Sequence, residues 1–337
     1  MKEQKYLKWY NKIGYGSGDI AGNTVYAFIT AFMMIYLTDT AGLNSGIVGT
    51  LMMLSKFFDG VTDVFFGALI DKTKTKMGKA RPWMLWPYIG NSILLIAIFA
   101  IPASFGDVAK YAYFFICYTL LNAVFYTANN IAYASLTALI TRNGNERVQL
   151  GSMRFIFATA TSLLIQTYTV RMVEYFGNGA EGWKAVAIIY AVIGLVVNTI
   201  SVFSVKELPE KELEKENPAD EEAAKFSSEA YPDLEIADKE NRTADESKKY
   251  SLLGALKMLL KNKFYIIICG VYIVSQLYGA TLSMGIYFMT YILGDADLLG
   301  TFSAAINIPM ICGLLFTPYL VKKCKGMYKL NLVGYII

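Results

Sequence analysis

The chain has 337 residues, 55% hydrophobic and 17% charged, with a formal net charge of +4, a mean hydropathy of +0.39 and no histidine. Apolar runs longer than about 18 residues, enough to cross a bilayer core, recur along it, so the composition describes a polytopic membrane protein, not a soluble one. The lack of histidine excludes imidazole proton relays and imidazole metal ligands, leaving carboxylates and neutral oxygens for any ion chemistry.

The opening, "MKEQKYLKWYNK", lacks a short apolar core with a small-residue cleavage site, so the first span is expected to serve as the targeting signal. That span, near 14–37, carries Asp19, Asn23 and Tyr26 at i, i+4, i+7. The second, near 46–70, places Lys56, Asp59 and Asp63 on one helical stripe, with Thr62 on the same turn. Asp59 lies twelve residues before Asp71, about 18 Å deep at 1.5 Å per residue. Facing lipid, three such charges would cost roughly 7–10 kcal/mol, so they are expected to face an interior cavity. Two carboxylates one turn apart can gather oxygens around a monovalent cation, Na+ being a candidate, or share a proton. Lys56 is read as charge balance for the empty pair. A buried Lys-Asp pair that only locks helices together is the structural alternative.

The third span is expected near 83–103 and the fourth near 111–140, where Asn122, Tyr126 and Asn130 recur at i, i+4, i+8 with Thr127 adjacent. Asp, Asn and Tyr lining a bundle interior suit a polyhydroxylated ligand: oxygens accept hydroxyls and aromatic faces cover a pyranose. Interhelical glue in lipid is the plainer account of the same residues. Spans near 154–174 and 184–205 complete an N-terminal six-helix bundle, residues 1–205. Residues 206–250 are acidic and poor in aliphatics, and are read as a cytoplasmic linker.

Residues 251–337 are read as part of a second bundle. "SLLGALKMLLKNK" reads as a surface helix, spans follow near 264–292 and 299–321, and a ninth segment begins near 330. The chain ends eight apolar residues into that segment, so a longer transporter is expected to contain it. Loops bearing Lys2 to Lys12, Lys72 to Arg81, Arg142 with Arg147, and Lys322 to Lys329 fall on one side. The positive-inside bias therefore places the N-terminus in the cytoplasm, with the chain spanning the cytoplasmic (inner) membrane several times. Of the four cysteines, Cys117, Cys269 and Cys312 fall in apolar runs and Cys324 in a Lys-rich loop, and no disulfide framework is implied.

The stretches "GYGSGDIAGN", "YLTDTAGLNSGIVGTL", "FFDGVTDVFFGALIDKTKTKMGKARPW" and "YTANNIAYASL" carry a resemblance over nearly the whole chain. They are similar to the glycoside-pentoside-hexuronide:cation symporters, the melibiose-permease-like branch of the major facilitator superfamily. The resemblance implies an all-α fold of twelve helices in two bundles, alternating access, and co-transport of a sugar with a monovalent cation. By it, Asp59, Asp63 and Thr127 match cation-site positions, and Thr62 stands where melibiose permease has an asparagine. Asp19, Tyr26, Tyr126 and Arg154 match sugar-cavity positions, to which the span-one stripe adds Asn23. Asn130 replaces the second sugar-binding aspartate and Ala134 a tryptophan, which resembles the pentoside and hexuronide branches. Gly67, Asp71, Gly78, Lys79 and Arg81 resemble the superfamily's gate motif between spans two and three. The expectation is a secondary symporter driven by Na+ or H+, with no cofactor, enzymatic chemistry or nucleic-acid partner. The rival readings are a carrier of a lipid or other non-sugar solute, and a non-transporting membrane sensor.

Overall fold

The computed structural model describes residues 5–209, 212, 260, 262–295 and 297–323. Every regular element among them is a helix, and the only pairing of extended backbone is an isolated bridge between Thr75 and Gly78. The chain divides into two compact units, Met1–Pro209 with Gly285–Ile337, and Glu210–Met284.

The first span is longer than its sequence suggests and is built in pieces. Helix α1 (Trp9–Gly16) is followed after Ser17 by α2 (Gly18–Phe28), then by wide π-helical turns at Ile29–Met33 and Tyr36–Thr40. Helix α3 (Ser45–Lys72) starts where the Asn44 side chain accepts the Gly46 and Ile47 amides, the usual task of an N-cap asparagine. Helix α4 (Arg81–Ile98) opens with Pro82 in its first turn, where a missing N–H costs nothing. It stops at Ile98, short of the expected 103.

A 34-residue rod follows: α5 (Asp107–Thr119), a π segment at Leu120–Tyr126, and α6 (Thr127–Ile140). Helix α7 (Gly144–Tyr175) begins ten residues earlier than its apolar run, because Asn143 caps the Glu146 amide and carries the helix out beyond the apolar segment. Helix α8 (Gly179–Ser204) completes this part of the unit. In the second unit, α9 (Lys263–Ser283) is a single apolar helix. Back in the first unit, a helical turn at Gly285–Tyr287 runs into a π segment at Phe288–Ile292, and α10 (Leu298–Lys323) follows.

Among the described residues, five helical stretches have the length and hydropathy to cross a membrane: Asp107–Ile140, Gly144–Tyr175, Gly179–Ser204, Tyr265–Ile292 and Leu298–Thr317. Helix α3 has ample length, about 42 Å, but its charged stripe lowers its hydropathy. The expected linker at 206–250, the surface helix and the ninth segment lie almost wholly outside the described residues.

Within the first unit α2 packs on α7 and α8, α4 on α8 and α6, and α3 on α5 and α6. Their common core is aromatic: Phe28 stacks on Phe99 at 4.2 Å and meets Tyr190 edge-on at 5.1 Å, with Trp183 against both phenylalanines. Pro87 removes one N–H from α4. Close by, the Met84 carbonyl accepts the Asn129 amide at 2.6 Å and the Asn198 amide at 2.9 Å, tying α6 and α8 to that turn. The two ends of the unit are distinguished below as proximal, where Tyr6 and Leu7 meet Glu146, and distal, where the Tyr36 hydroxyl accepts the Ile101 amide.

Candidate functional site

Asp19 sits in the first turn of α2, and the structure brings Arg154 of α7 to it: Arg154 Nε donates to Asp19 Oδ2 at 2.7 Å. A third residue, unremarked in the sequence, joins them. Tyr133 of α6 shares its hydroxyl proton between the Tyr15 carbonyl at 2.7 Å and Asp19 Oδ2 at 3.0 Å. Its ring also lies under the Arg154 guanidinium, 4.1 Å from centroid to carbon, a cation–π contact. One carboxylate oxygen thus anchors three helices, while Asp19 Oδ1 has no donor among the described residues. Tyr133 was legible in principle: it continues the Tyr126, Asn130 stripe by one more helical step.

Around this anchor the other predicted cavity residues divide. Tyr26 and Tyr126 face each other with near-parallel rings at 6.4 Å, and Tyr26 is more than half exposed. Asn130 is exposed, and its amide has no partner among the described residues. Asn23, in contrast, turns its amide back onto the Asp19 carbonyl at 2.9 Å, and Asn122 does the same to the Tyr118 carbonyl at 3.1 Å. Those two donors are spent on their own helix. The π segment also interrupts the regular spacing that put Asn122 on the Tyr126 stripe, since its bonding runs i to i+5.

On α3 the predicted stripe forms. Lys56 Nζ lies 2.8 Å from Asp59 Oδ2, an i,i+3 pair in which the lysine is mostly exposed and the aspartate largely covered. The other oxygen, Asp59 Oδ1, is buried without a hydrogen-bond partner. So is the hydroxyl of Ser55, one turn earlier and fully buried, a residue that the sequence reading did not single out. Asp63 is exposed on α3, and Thr127 is buried on α6, the helix that packs against α3. Thr62 differs from expectation: its hydroxyl donates to the Phe58 and Asp59 carbonyls of its own helix, leaving only a lone pair for other use. Among the described residues no group of three or more Cys, Asp or Glu side chains gathers as a metal cage. An acidic pair completed by hydroxyls has too few charges for a divalent cage, and suits a proton or a monovalent hard cation.

The loop between α3 and α4 is held by a residue the sequence placed in the linker. Glu207 accepts the backbone amides of Lys79 at 2.7 Å, Ala80 at 2.9 Å and Arg81 at 3.1 Å, covering the otherwise unpaired N–H groups of the α4 start. Gly78 stands at φ +114°, and a Cβ there would lie 2.3 Å from the Glu207 carboxyl carbon. Only glycine allows both the backbone angle and the close approach. Arg81 is buried and gives its Nε to the Val202 carbonyl at 2.9 Å. Gly67 is partly covered and Asp71 exposed at the proximal end of α3.

The protein is an all-α multi-pass membrane bundle with a cross-helix arginine–aspartate pair, Arg154 with Asp19, and an acidic stripe along α3. The chain matches the family described as MFS/sugar transport protein over residues 14–231 and 233–337, and belongs to it. It is similar to the uncharacterized symporter YnaJ of Bacillus subtilis (strain 168), 29% identical over 98% of this chain and 66% of that protein. It is also similar to the isoprimeverose transporter of Lactiplantibacillus pentosus, 27% identical over 98% of this chain and 63% of that protein. The putative glycoside/cation symporter YagG of Escherichia coli (strain K12) is 36% identical over 60% of this chain and 44% of its own length. The chain therefore spans no more than about two thirds of these relatives.

Proposed function

We propose that the protein acts as a secondary symporter that moves a sugar, as a glycoside, pentoside or hexuronide, together with Na+ or H+ by alternating access. Family membership and relatives named as an isoprimeverose transporter and a glycoside/cation symporter support the substrate class. The observation that carries it is the Arg154, Asp19, Tyr133 arrangement, which holds one carboxylate oxygen rigidly and leaves Asp19 Oδ1 for a ligand hydroxyl. Asn130 adds an amide with both donor and acceptor, and the Tyr26 and Tyr126 rings offer a face for the apolar side of a pyranose. The basic residues at the proximal end favour a cytoplasmic position for that end and for the N-terminus, with the chain in the cytoplasmic membrane.

The coupling cation is assigned to Asp59 and Asp63, with Thr127 and the free lone pair of Thr62 as neutral oxygens. The buried, unpartnered Asp59 Oδ1 favours this reading, because leaving an ionised oxygen dry and unpaired is costly unless a cation comes to it. Lys56 balances one charge in the ion-free state; the arriving cation supplies the other, and the neutralised stripe favours the sugar-loaded, inward-turning bundle. The test is uptake of a labelled glycoside panel by the full-length protein in vesicles, with Na+ and pH gradients varied independently. Accumulation that ignores both gradients would sink the symport reading.

A further inference from the structure

At the distal end of the first unit, residues of the first span and α7 are joined to residues after 285 by a row of polar contacts. Arg171 Nε meets Asp297 Oδ2 at 3.0 Å, just before α10 begins. The Tyr291 hydroxyl donates to Asp39 Oδ2 at 2.6 Å, and the Thr38 and Tyr287 hydroxyls lie 3.3 Å apart. One turn into α10, Ser303 bonds to Gln166, and a Cβ on Gly300 would come within 2.9 Å of the Thr167 Cα. That glycine lets the α7 and α10 backbones touch, as small residues do between membrane helices. The contacts gather at the start of α10, whereas Phe316 and Tyr319 near its other end are exposed.

Two features set this seam apart from ordinary packing. Its members are single hydrogen bonds and one ion pair whose side chains are 62% and 34% exposed, so each is easily broken and remade. Both segments that meet at the tyrosines are π-helical, Tyr36–Thr40 and Phe288–Ile292, a geometry frequent where helices carry function. We infer that Arg171 with Asp297, and Tyr287 and Tyr291 with Thr38 and Asp39, form the gate that closes the distal face, and that this conformation is closed there. The inference rests on the alternating-access reading above and on the orientation proposed with it from the basic proximal loops, which makes the distal face extracytoplasmic.

The test uses the full-length protein with its native cysteines replaced by serine and spin labels at Val108 and Leu293, both exposed near the distal end. Arg171→Glu should raise the population of the longer label distance about two- to fivefold, the shift an exposed ion pair supports. Adding Asp297→Arg should restore the parent distribution. Should Arg171→Glu fail to fold, Arg171→Gln and Tyr291→Phe each carry the same test. Distance distributions unchanged in these variants, or a charge swap that does not restore the parent, would overturn the gate. The readout needs no substrate, so a protein that fails to accumulate sugar can still show the gate, and the two readings fail separately.

Discussion

Asp19 and Asp59 are both paired with a cation on their Oδ2 atoms, yet the pairs differ in a way that assigns them different work. Arg154 reaches Asp19 from another helix and is braced by the Tyr133 ring, so the pair is geometrically fixed. Lys56 reaches Asp59 along its own helix from a mostly exposed position, so a competing ion can displace it at small cost. Asp19→Asn should weaken sugar binding about 10- to 100-fold, the loss expected for charge-assisted hydrogen bonds, as read by calorimetry on the full-length protein. A change below about twofold would remove Asp19 from the site. Asp59→Asn should abolish the dependence of uptake on the driving gradient while sugar exchange down its own gradient persists; intact gradient-driven accumulation would refute the cation assignment.

Glu207 acts on an element, not on a ligand. By covering three amides at the start of α4 it fixes the Gly78 turn against the end of α8 and so sets where the basic loop lies. Glu207→Ala should cost about 1–2 kcal/mol, lowering Tm by about 2–6 °C, and Glu207→Gln should recover part of the loss because one acceptor oxygen remains. Equal stability of the alanine variant would show that water or another group caps the helix as well. The π segments matter at the same scale. Each wide turn re-aims the residues after it, and the one at Leu120–Tyr126 ends on Tyr126 and leads directly into Thr127, so residues proposed for the sugar and for the cation sit at the same turn.

For the molecule as a whole, that shared turn gives a physical route by which the two proposed ligands would feel each other: Tyr126 stacks on Tyr26, while the next residue, Thr127, is buried on the helix that packs against the Asp63 helix. Coupling between binding sites is reciprocal, so a saturating sugar should raise the affinity of the full-length protein for its coupling cation by the same factor that the cation raises sugar affinity. Paired calorimetric titrations measure both factors. Independent affinities would contradict coupling through this bundle.

The linear chain was enough for what depends on local periodicity and on the solvent. Long apolar runs set the membrane, and helical spacing put Lys56, Asp59 and Asp63 on one stripe. A stripe of charge in hydrocarbon has few uses, which is why a cation site could be proposed there without coordinates. What required the tertiary structure was every contact between residues far apart in sequence. Tyr133 reads as an ordinary aromatic of an apolar run until α6 is laid beside α2, and Glu207 reads as the first acid of a linker until its carboxylate is found on the amides of α4. Thr62 and Asn23 show the opposite case, because a hydroxyl or amide on a helix face can turn back to its own backbone. Period tells which side chains share a face; only packing decides which partner each one meets there.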